Sequence, residues 1–391
     1  MTSRKLIDVV IASAVRTPVG CFRGSLARLT APELGAVAIR GAINKAGIDP
    51  AHVKEVYMGN VLQAGEGQAP ATQALIKAGL SESTPATTVN KVCASGMKAV
   101  MLAAQNIQLG MQPAMVAGGM ESMSNVPFYS PRAKDYGHAE LSDGIIRDGL
   151  WDVYNNFHMG NCAENTARKH SITREMQDAH AVASYRRAAA AWEAGVFKDE
   201  VVPVTIATRK GDSVVSVDEE FSNVKFDKIA SLRPVFEKNG TVTAANASTL
   251  NDGASALLLM AAQRASDLGV TPLARIVSYA DAATLPIDFP IAPALAVPIA
   301  LDRAGLATKD IALWEFNEAF SVVARVNEKI LGLDPERVNV AGGAVALGHP
   351  IGSSGSRILV TLAHLLKPGQ FGCASICNGG GGASAVVIQR I

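Results

Sequence analysis

The chain carries almost no net charge: 36 Lys and Arg against 35 Asp and Glu leave +1 over 391 residues. No global field therefore argues for DNA, RNA or an anionic membrane as partner, and any anionic ligand must be met by a local patch. A disulfide framework is missing too. The five cysteines, at 21, 93, 162, 373 and 377, are odd in number and irregular in spacing, which argues against a small secreted scaffold. No apolar run is long enough to insert across a bilayer, and neither a secretory h-region nor an Arg-rich amphipathic leader precedes the strand-like Ile7 to Ala12. The chain as written reads as cytoplasmic, although the mature form of a mitochondrial enzyme given a new Met1 would read the same. Neither a P-loop nor a Rossmann fingerprint placed after a strand occurs. His-Glu-x-x-His and closely paired cysteines, the usual marks of a transition-metal site, are absent as well.

What is present is a large apolar fraction, 48%, with only 18% charged residues, enough to bury a sizeable core in more than one domain. Strand-like runs alternate with alanine-rich helical segments, the pattern of an α/β protein whose sheets are covered by helices. Thr30, Ala31 and Pro32 open a helix that carries Leu34, Val37, Ile39 and Ile43 and stops at Gly47; residues 53–59 then read as a strand. The two ends of the chain repeat one plan. Val89 to Val92 leads through Cys93-Ala94-Ser95-Gly96 into a helix, and Val338 to Val340 leads through a glycine-rich turn with His349 into another. Such a duplication would set Cys93 and His349 about a pseudo-twofold axis. Residues from about 121 to 243 break the alternation and read as a separate lobe over the site. The expected division is 1–120 plus 244–271, 121–243 and 272–391.

Four segments carry chemistry. Cys93 lies between a β-branched run and a helix, where helix-terminal amides would favour thiolate over thiol; a packed core cysteine is the alternative, and is the reading for Cys21, Cys162 and Cys373. His349 is flanked by Gly348 and Pro350, a rigid frame for a general base. A phosphate cradle is the competing reading of that turn. Cys377 precedes Asn378 and four glycines, Gly379 to Gly382, which bring backbone amides against a small planar ligand. A linker fits poorly there because Ala385 to Ile388 at once resumes an apolar strand. Asn317, in Asn-Glu-Ala-Phe, is an amide in apolar surroundings that needs a partner.

Together the segments at Cys93, Asn317 to Phe320, Gly348 to Pro350 and Cys377 to Gly382 resemble the thiolase family, in its order and over nearly the whole chain. The resemblance is to its short-chain, acetoacetyl-CoA type. It implies two duplicated α/β core domains in an α-β-α-β-α layering with an inserted loop domain, and reversible Claisen condensation of two acetyl-CoA to acetoacetyl-CoA and CoA. Cys93 would hold the acetyl group, His349 would activate it, and Cys377 would take the α-proton. One oxyanion site would use His349 with a water held by Asn317; the other would use the amides of Cys93 and Gly379. Coenzyme A contacts would include His158, Tyr185, Asn223, Val224, Lys225, Lys228 and Ser248. A potassium ion would fall on Tyr185, Ala244, Ala245, Ala247 and Val345, where carbonyls serve as hard ligands. Phe289-Pro290 resembles the type that accepts a 2-methyl branch and so cleaves 2-methylacetoacetyl-CoA. Residues 126–138 resemble the family's tetramerisation loop, implying a homotetramer. A β-ketoacyl synthase is the rival enzyme, and a non-catalytic CoA- or lipid-binding protein is the rival from another class.

Overall fold

The computed structural model describes residues 6–132, 136, 138–209 and 211–391. The expected tetramerisation segment therefore lies partly outside the described residues, at 133–135 and 137.

Nine strands longer than two residues form one mixed sheet: β1 (Val9–Arg16), β2 (Glu55–Gly59), β3 (Ala86–Val89), β4 (Ala114–Ser122), β5 (Asn251–Ala261), β6 (Ala274–Ala283), β7 (Ile311–Phe316), β8 (Phe371–Asn378) and β9 (Gly382–Arg390). Their order is β7-β8-β9-β6-β1-β5-β4-β2-β3. Read outward from the middle, the two arms match. β1 runs antiparallel to β5 and β5 to β4, while β4 and β2 are parallel; β6, β9, β8 and β7 repeat those three relations. Even the irregularities repeat, with register shifts between Ile11 and Ser13 and between Ile276 and Ser278. Among the described residues, strand pairing between the arms is confined to Val10 with Arg275 and Ile11 with Ala274. The duplication read from the order of features is thus real in space, and the two sheets of the expected layering are joined by this narrow seam.

The strand expected at 53–59 begins at Glu55, because Pro50–His52 forms a short turn capped by the Asp49 carboxylate. Residues 338–340 form no strand and meet the sheet through one parallel bridge, Val338 to Trp314, and the Asn339 side chain on Phe316 N and O. The opening helix α1 (Ala31–Ala46) behaves as expected, with Thr30 and Glu33 at its start and Gly47 at φ 66° ending it.

Period-two alternation assigns each face of the sheet. Leu257 and Leu259 of β5 point to the helices α3 (Ser95–Gln108) and α8 (Ile351–Leu365), while Leu258 and Met260 point to α1. A second outer helix, α6 (Pro293–Ala304), covers the C-terminal arm through Ala296, Val297 and Ala300 against Trp314, Phe316 and Val387. Burying each large aliphatic side chain contributes roughly 1.5–3 kcal/mol. The α3 and α8 pair forms the middle layer. Helix α8 is buried on every side from Ile351 to Ala363, which requires small residues and satisfied hydroxyls. Ser255 Oγ meets Ser353 Oγ at 2.9 Å and Ser356 Oγ at 2.6 Å.

Where α3 and α8 begin, backbones come into direct contact. A Cβ on Gly119 would stand 2.0 Å from Gly352 O, and one on Gly59 2.4 Å from Gly96 N. Glu121, fully buried beside this junction, accepts N–H bonds from Val61, Leu62 and Gly352 and from the Asn60 amide at 2.9–3.2 Å. Burial, and after it the charge of Glu66, pushes its carboxyl up to about 8.

Between β4 and β5 the chain leaves the sheet to form the lobe, built on α4 (Met159–His170) and α5 (Arg174–Glu193) with short two-stranded ribbons. Two buried polar knots tie it down. Arg16 of β1 reaches Glu200 at 2.5 Å and Asp218 at 2.7 Å. Glu318 accepts from Ser184 of α5 at 2.8 Å, Asn339 at 2.7 Å and the Val345 amide at 3.1 Å, with His180 at 3.3 Å. Burial alone would raise the Glu318 carboxyl, but the His180 charge and the bonds from His180, Asn339 and Ser184 hold it at about 2.

Two outcomes follow from these packings. Gly119→Ala should cost roughly 2–3 kcal/mol in denaturant unfolding, and more than Gly35→Ala, since the obstacle at Gly35 is the flexible Met120 sulfur rather than backbone. Glu318→Gln should destabilise by roughly 2–3 kcal/mol at pH 7. A depressed carboxyl stabilises the fold above its unfolded value and loses that contribution as it is protonated. The gap in melting temperature between the wild type and Glu318→Gln should therefore close as pH falls from about 4.5 to about 2.

Candidate active site

Strand β3 ends at Val89, and the chain must reverse before α3 begins at Ser95. It does so with Val92 at φ 49°, a left-handed conformation costly for a β-branched residue. The strain is held by local bonds. Asn90 Oδ1 accepts the Val92 N–H at 2.9 Å; Ser95 Oγ accepts the Lys91 N–H at 2.8 Å and donates to Val92 O at 2.5 Å. Lys91 Nζ spans to the other arm, to Asp281 Oδ1 at 2.5 Å and Ser384 Oγ at 2.8 Å. This turn presents Cys93.

The Cys93 thiol does not sit as expected. Burial pushes it up to about 12, although the N–H of Gly379 and its own N–H pull the other way. Desolvation outweighs the helix terminus, so the resting group is a thiol rather than a thiolate. Cys377, at the end of β8, is likewise buried, and its thiol is raised first by burial and then by the neighbouring Cys93 charge. Gly379 follows two residues later, its N–H on the Cys93 sulfur. The two thiols and this amide are therefore one cluster.

His349 is placed from three sides. Gly348, at φ 100°, packs where a Cβ would stand 2.5 Å from the Asn251 side chain, and Asn251 Oδ1 accepts the His349 N–H at 2.8 Å. Nδ1 lies 2.6 Å from Ser354 Oγ, and Nε2 lies 3.4 Å from Asn317 Nδ2. Burial, with a smaller push from the Arg357 charge, lowers the ring to about 3, so it is neutral at rest. Asn317 Nδ2 thus faces the base, while its buried Oδ1 accepts no bond from the described residues.

Cys93 and His349 line the inner end of a cavity of about 340 Å³ with His158, Met159, Ser248 and Phe320. It shares Val235, Phe236, Ala247, Ser248, Thr249 and Leu250 with a second cavity of about 520 Å³, which reaches Asn223 and Ala244. Placed end to end along this shared wall, the two form a candidate tunnel from Cys93 toward the lobe. His158 caps α4, its Nδ1 accepting the Gly160 N–H at 3.0 Å, and its ring stacks on Phe236 at 4.7 Å. Ser248 Oγ donates to Ala319 O at 2.9 Å. Lys225 and Lys228 are exposed in the segment just beyond Asn223, whereas Val224 is half-buried against the cluster of Tyr185 and Val345. Phe289 does not line the Cys93 cavity. It is fully buried with Met159 and Cys377 and borders an adjoining cavity of about 470 Å³ that also touches Val92 and Gly379.

The proposed cation ligands divide between Tyr185 and Val345 in that apolar cluster and Ala244 and Ala247 at the tunnel mouth, with Ala245 buried beside them. Among the described residues the carbonyls of Ala244, Ala245 and Ala247 accept no hydrogen bond. The Tyr185 phenol is raised by burial and then by the Glu220 and Glu318 charges. Free carbonyls in a negative field fit a hard monovalent cation.

Several residues that build the site escaped the sequence reading. Glu318 stood inside a quoted motif but gave no sign of its direction, while Ser354 and Asn251 fell outside every quoted motif. Cys162 and Cys373 are buried and Cys21 half-buried, as expected for packing residues.

Comparison with known proteins places these features in a family. The descriptions "Thiolase, N-terminal domain" and "Thiolase, C-terminal domain" match residues 9–263 and 270–390. Mitochondrial acetyl-CoA acetyltransferase of Xenopus tropicalis is 63% identical over 394 residues, covering 100% of this chain and 94% of the relative. The human protein of that name is 61% identical over 389 residues, covering 99% and 91%. Among solved structures, Acat5 thiolase from Ascaris suum in complex with coenzyme A superposes with a TM-score of 0.95 at 48% identity, covering 98% of this chain and all of that one. Acetyl-CoA acetyltransferase of Bacillus anthracis gives a TM-score of 0.96 at 39% identity over the full length of both. Both domain matches, the shared fold and the full-length identity agree: the chain belongs to the thiolase family.

Proposed function

We propose that the chain is an acetyl-CoA C-acetyltransferase that joins two acetyl-CoA into acetoacetyl-CoA and CoA, and runs the reverse thiolysis. The single observation that carries the reading is that Cys93 and His349 line one cavity, with Asn317 Nδ2 facing His349 and with Cys377 and the Gly379 amide beside the Cys93 thiol. As a neutral thiol faces a neutral imidazole, the Cys93 proton passes to His349 Nε2 while sulfur attacks the thioester carbon. Collapse of the tetrahedral intermediate returns that proton to the departing CoA sulfur. Cys377 gives its own proton to His349 and, as thiolate, removes an α-proton from the second acetyl-CoA; the carbanion then attacks the acetyl carbon on Cys93. The Cys93 sulfur leaves and takes the proton held by His349, so both thiols are restored. Negative charge on oxygen is met in one step by the Cys93 and Gly379 amides, and in the other by His349 with a water held by Asn317.

Coenzyme A occupies the tunnel, with His158 and Ser248 along its wall, Asn223 at its mouth, and Val224, Lys225 and Lys228 on the lobe segment beside it; the lysines suit phosphates in an otherwise neutral chain. Potassium on Tyr185, Ala244, Ala245, Ala247 and Val345 would supply a fixed positive charge between lobe and core. A homotetramer, the mitochondrial compartment for which the vertebrate relatives are named, and the division into 1–120 plus 244–271, 121–243 and 272–391 belong to the same proposal. Two positioned thiols argue against a pure binding protein, and Cys377 in the third catalytic position argues against a β-ketoacyl synthase.

The test is thiolysis of acetoacetyl-CoA, followed in the ultraviolet, combined with peptide mass spectrometry after acid quench. Acetyl-CoA alone should label Cys93; label confined to another cysteine would sink the assignment. Cys93→Ala should abolish labelling and lower turnover at least about a thousandfold. Cys377→Ala should still be labelled but fail to exchange the α-deuterium of acetyl-CoA, and exchange at the wild-type rate would remove Cys377 as the carbon base. Because a bound ion acts only through its differential affinity for the competent state, potassium should raise turnover or lower KM more than sodium at fixed ionic strength. The enzyme should also cleave 2-methylacetoacetyl-CoA, and Phe289→Met should reduce that activity more than cleavage of acetoacetyl-CoA.

A further inference from the structure

The geometry points to Ser354 as the positioning residue that sets the tautomer of His349 and so leaves Nε2, rather than Nδ1, to serve as the base. Among the described residues Ser354 Oγ has two hydrogen-bond partners, His349 Nδ1 at 2.6 Å and Pro350 O at 3.0 Å. A hydroxyl has one hydrogen and two lone pairs, whereas a carbonyl oxygen can only accept. If the hydroxyl hydrogen pointed to Nδ1, Ser354 Oγ and Pro350 O would face each other at 3.0 Å with no proton between them. With the hydrogen on the Pro350 side, both contacts become hydrogen bonds, and Oγ accepts the Nδ1–H. The far side of the ring selects the same form independently. Asn317 offers its Nδ2 donor to Nε2 at 3.4 Å, which suits a lone pair there and opposes an N–H.

Both Ser354 and His349 are almost wholly buried, at 1% and 5% exposure, so bulk water cannot stand in for the hydroxyl. Ser354 belongs to the same helix start that carries His349, where the backbone N–H groups of Ser353 and Ser354 also bond to Pro350 O at 2.9 and 3.0 Å. The positioning group is therefore as rigid as the residue it positions. Being neutral, it differs from the carboxylate that orients histidine in other acyl-transfer sites. It fixes the direction of the ring without stabilising an imidazolium, which keeps His349 from drawing the Cys93 proton before the thioester carbon is in reach.

The inference rests on the acetyl-transfer reading, and the experiment separates the two. Rapid-quench acetylation of Cys93 and steady-state thiolysis are measured for the wild type, Ser354→Ala and Ser354→Thr, with the melting temperature of each. Ser354→Ala should acetylate about 10- to 100-fold more slowly, since half the base's orientation is lost but not the base, with KM for acetoacetyl-CoA within about twofold of wild type. Ser354→Thr keeps the hydroxyl and should stay within about fivefold of the wild-type rate. A wild-type acetylation rate in Ser354→Ala overturns the assignment, as do equal losses in both variants. Should Ser354→Ala fail to fold, Ser354→Thr decides: a near-wild-type rate supports the assignment and a slow, folded enzyme overturns it. If the wild type itself leaves Cys93 unlabelled, the functional reading falls first and this inference with it.

Discussion

Everything at the site depends on two helix starts being pressed against the ends of two strands with no side chains between them. Gly59 and Gly119 from the sheet and Gly96 and Gly352 from α3 and α8 meet at distances that leave no room for a Cβ. Helix α3 starts just after Cys93 and α8 just after His349, so this contact sets the proposed nucleophile and base relative to each other. Glu121 secures it by collecting three backbone N–H groups and the Asn60 amide, one of them from the first turn of α8. A buried carboxyl that burial pushes up and four N–H donors hold in place is an unusual choice of clamp.

The same burial governs the chemistry. Thiols pushed up and an imidazole pushed down leave the site uncharged at rest. A preformed ion pair would need solvation that this interior does not provide. In the proposed mechanism proton transfer is then tied to bond formation, with Gly379 N–H, Asn317 and the Cys93 amide placed to receive the developing charge. Burial of Cys93 and Cys377 serves the same purpose by keeping bulk water from the acetyl thioester.

Reach to a long ligand comes from the lobe, and its attachment is economical. Glu318, the neighbour of Asn317, binds Ser184 of α5 on one side and Asn339 and the Val345 amide on the other. A movement of α5 must therefore be felt one residue away from Asn317 and four away from His349. Arg16, with Glu200 and Asp218, does the corresponding work at the other end of the lobe. Both links are buried and multiply bonded, which gives the lobe a defined seat rather than a loose hinge.

Local sequence determined a good deal. The Thr30, Pro32 and Gly47 signals bound α1 because capping and backbone restrictions act over three or four residues. The repeated order of strand, turn and helix revealed the duplication, and the glycine-rich settings of His349 and Cys377 with the strand-to-helix setting of Cys93 singled these residues out as candidates. What local sequence misjudged was the state of the Cys93 thiol: a helix terminus is visible in the chain, but the desolvation that outweighs it is a property of the packed surroundings. Only tertiary structure decided that Asn251 holds the His349 amide, that Phe289 lies behind Cys377 instead of in the Cys93 cavity, and that Ser354 faces Nδ1. These are contacts between faces whose partners lie many residues away, and a hydrogen bond depends on direction and distance, which residue order does not carry until the chain is folded.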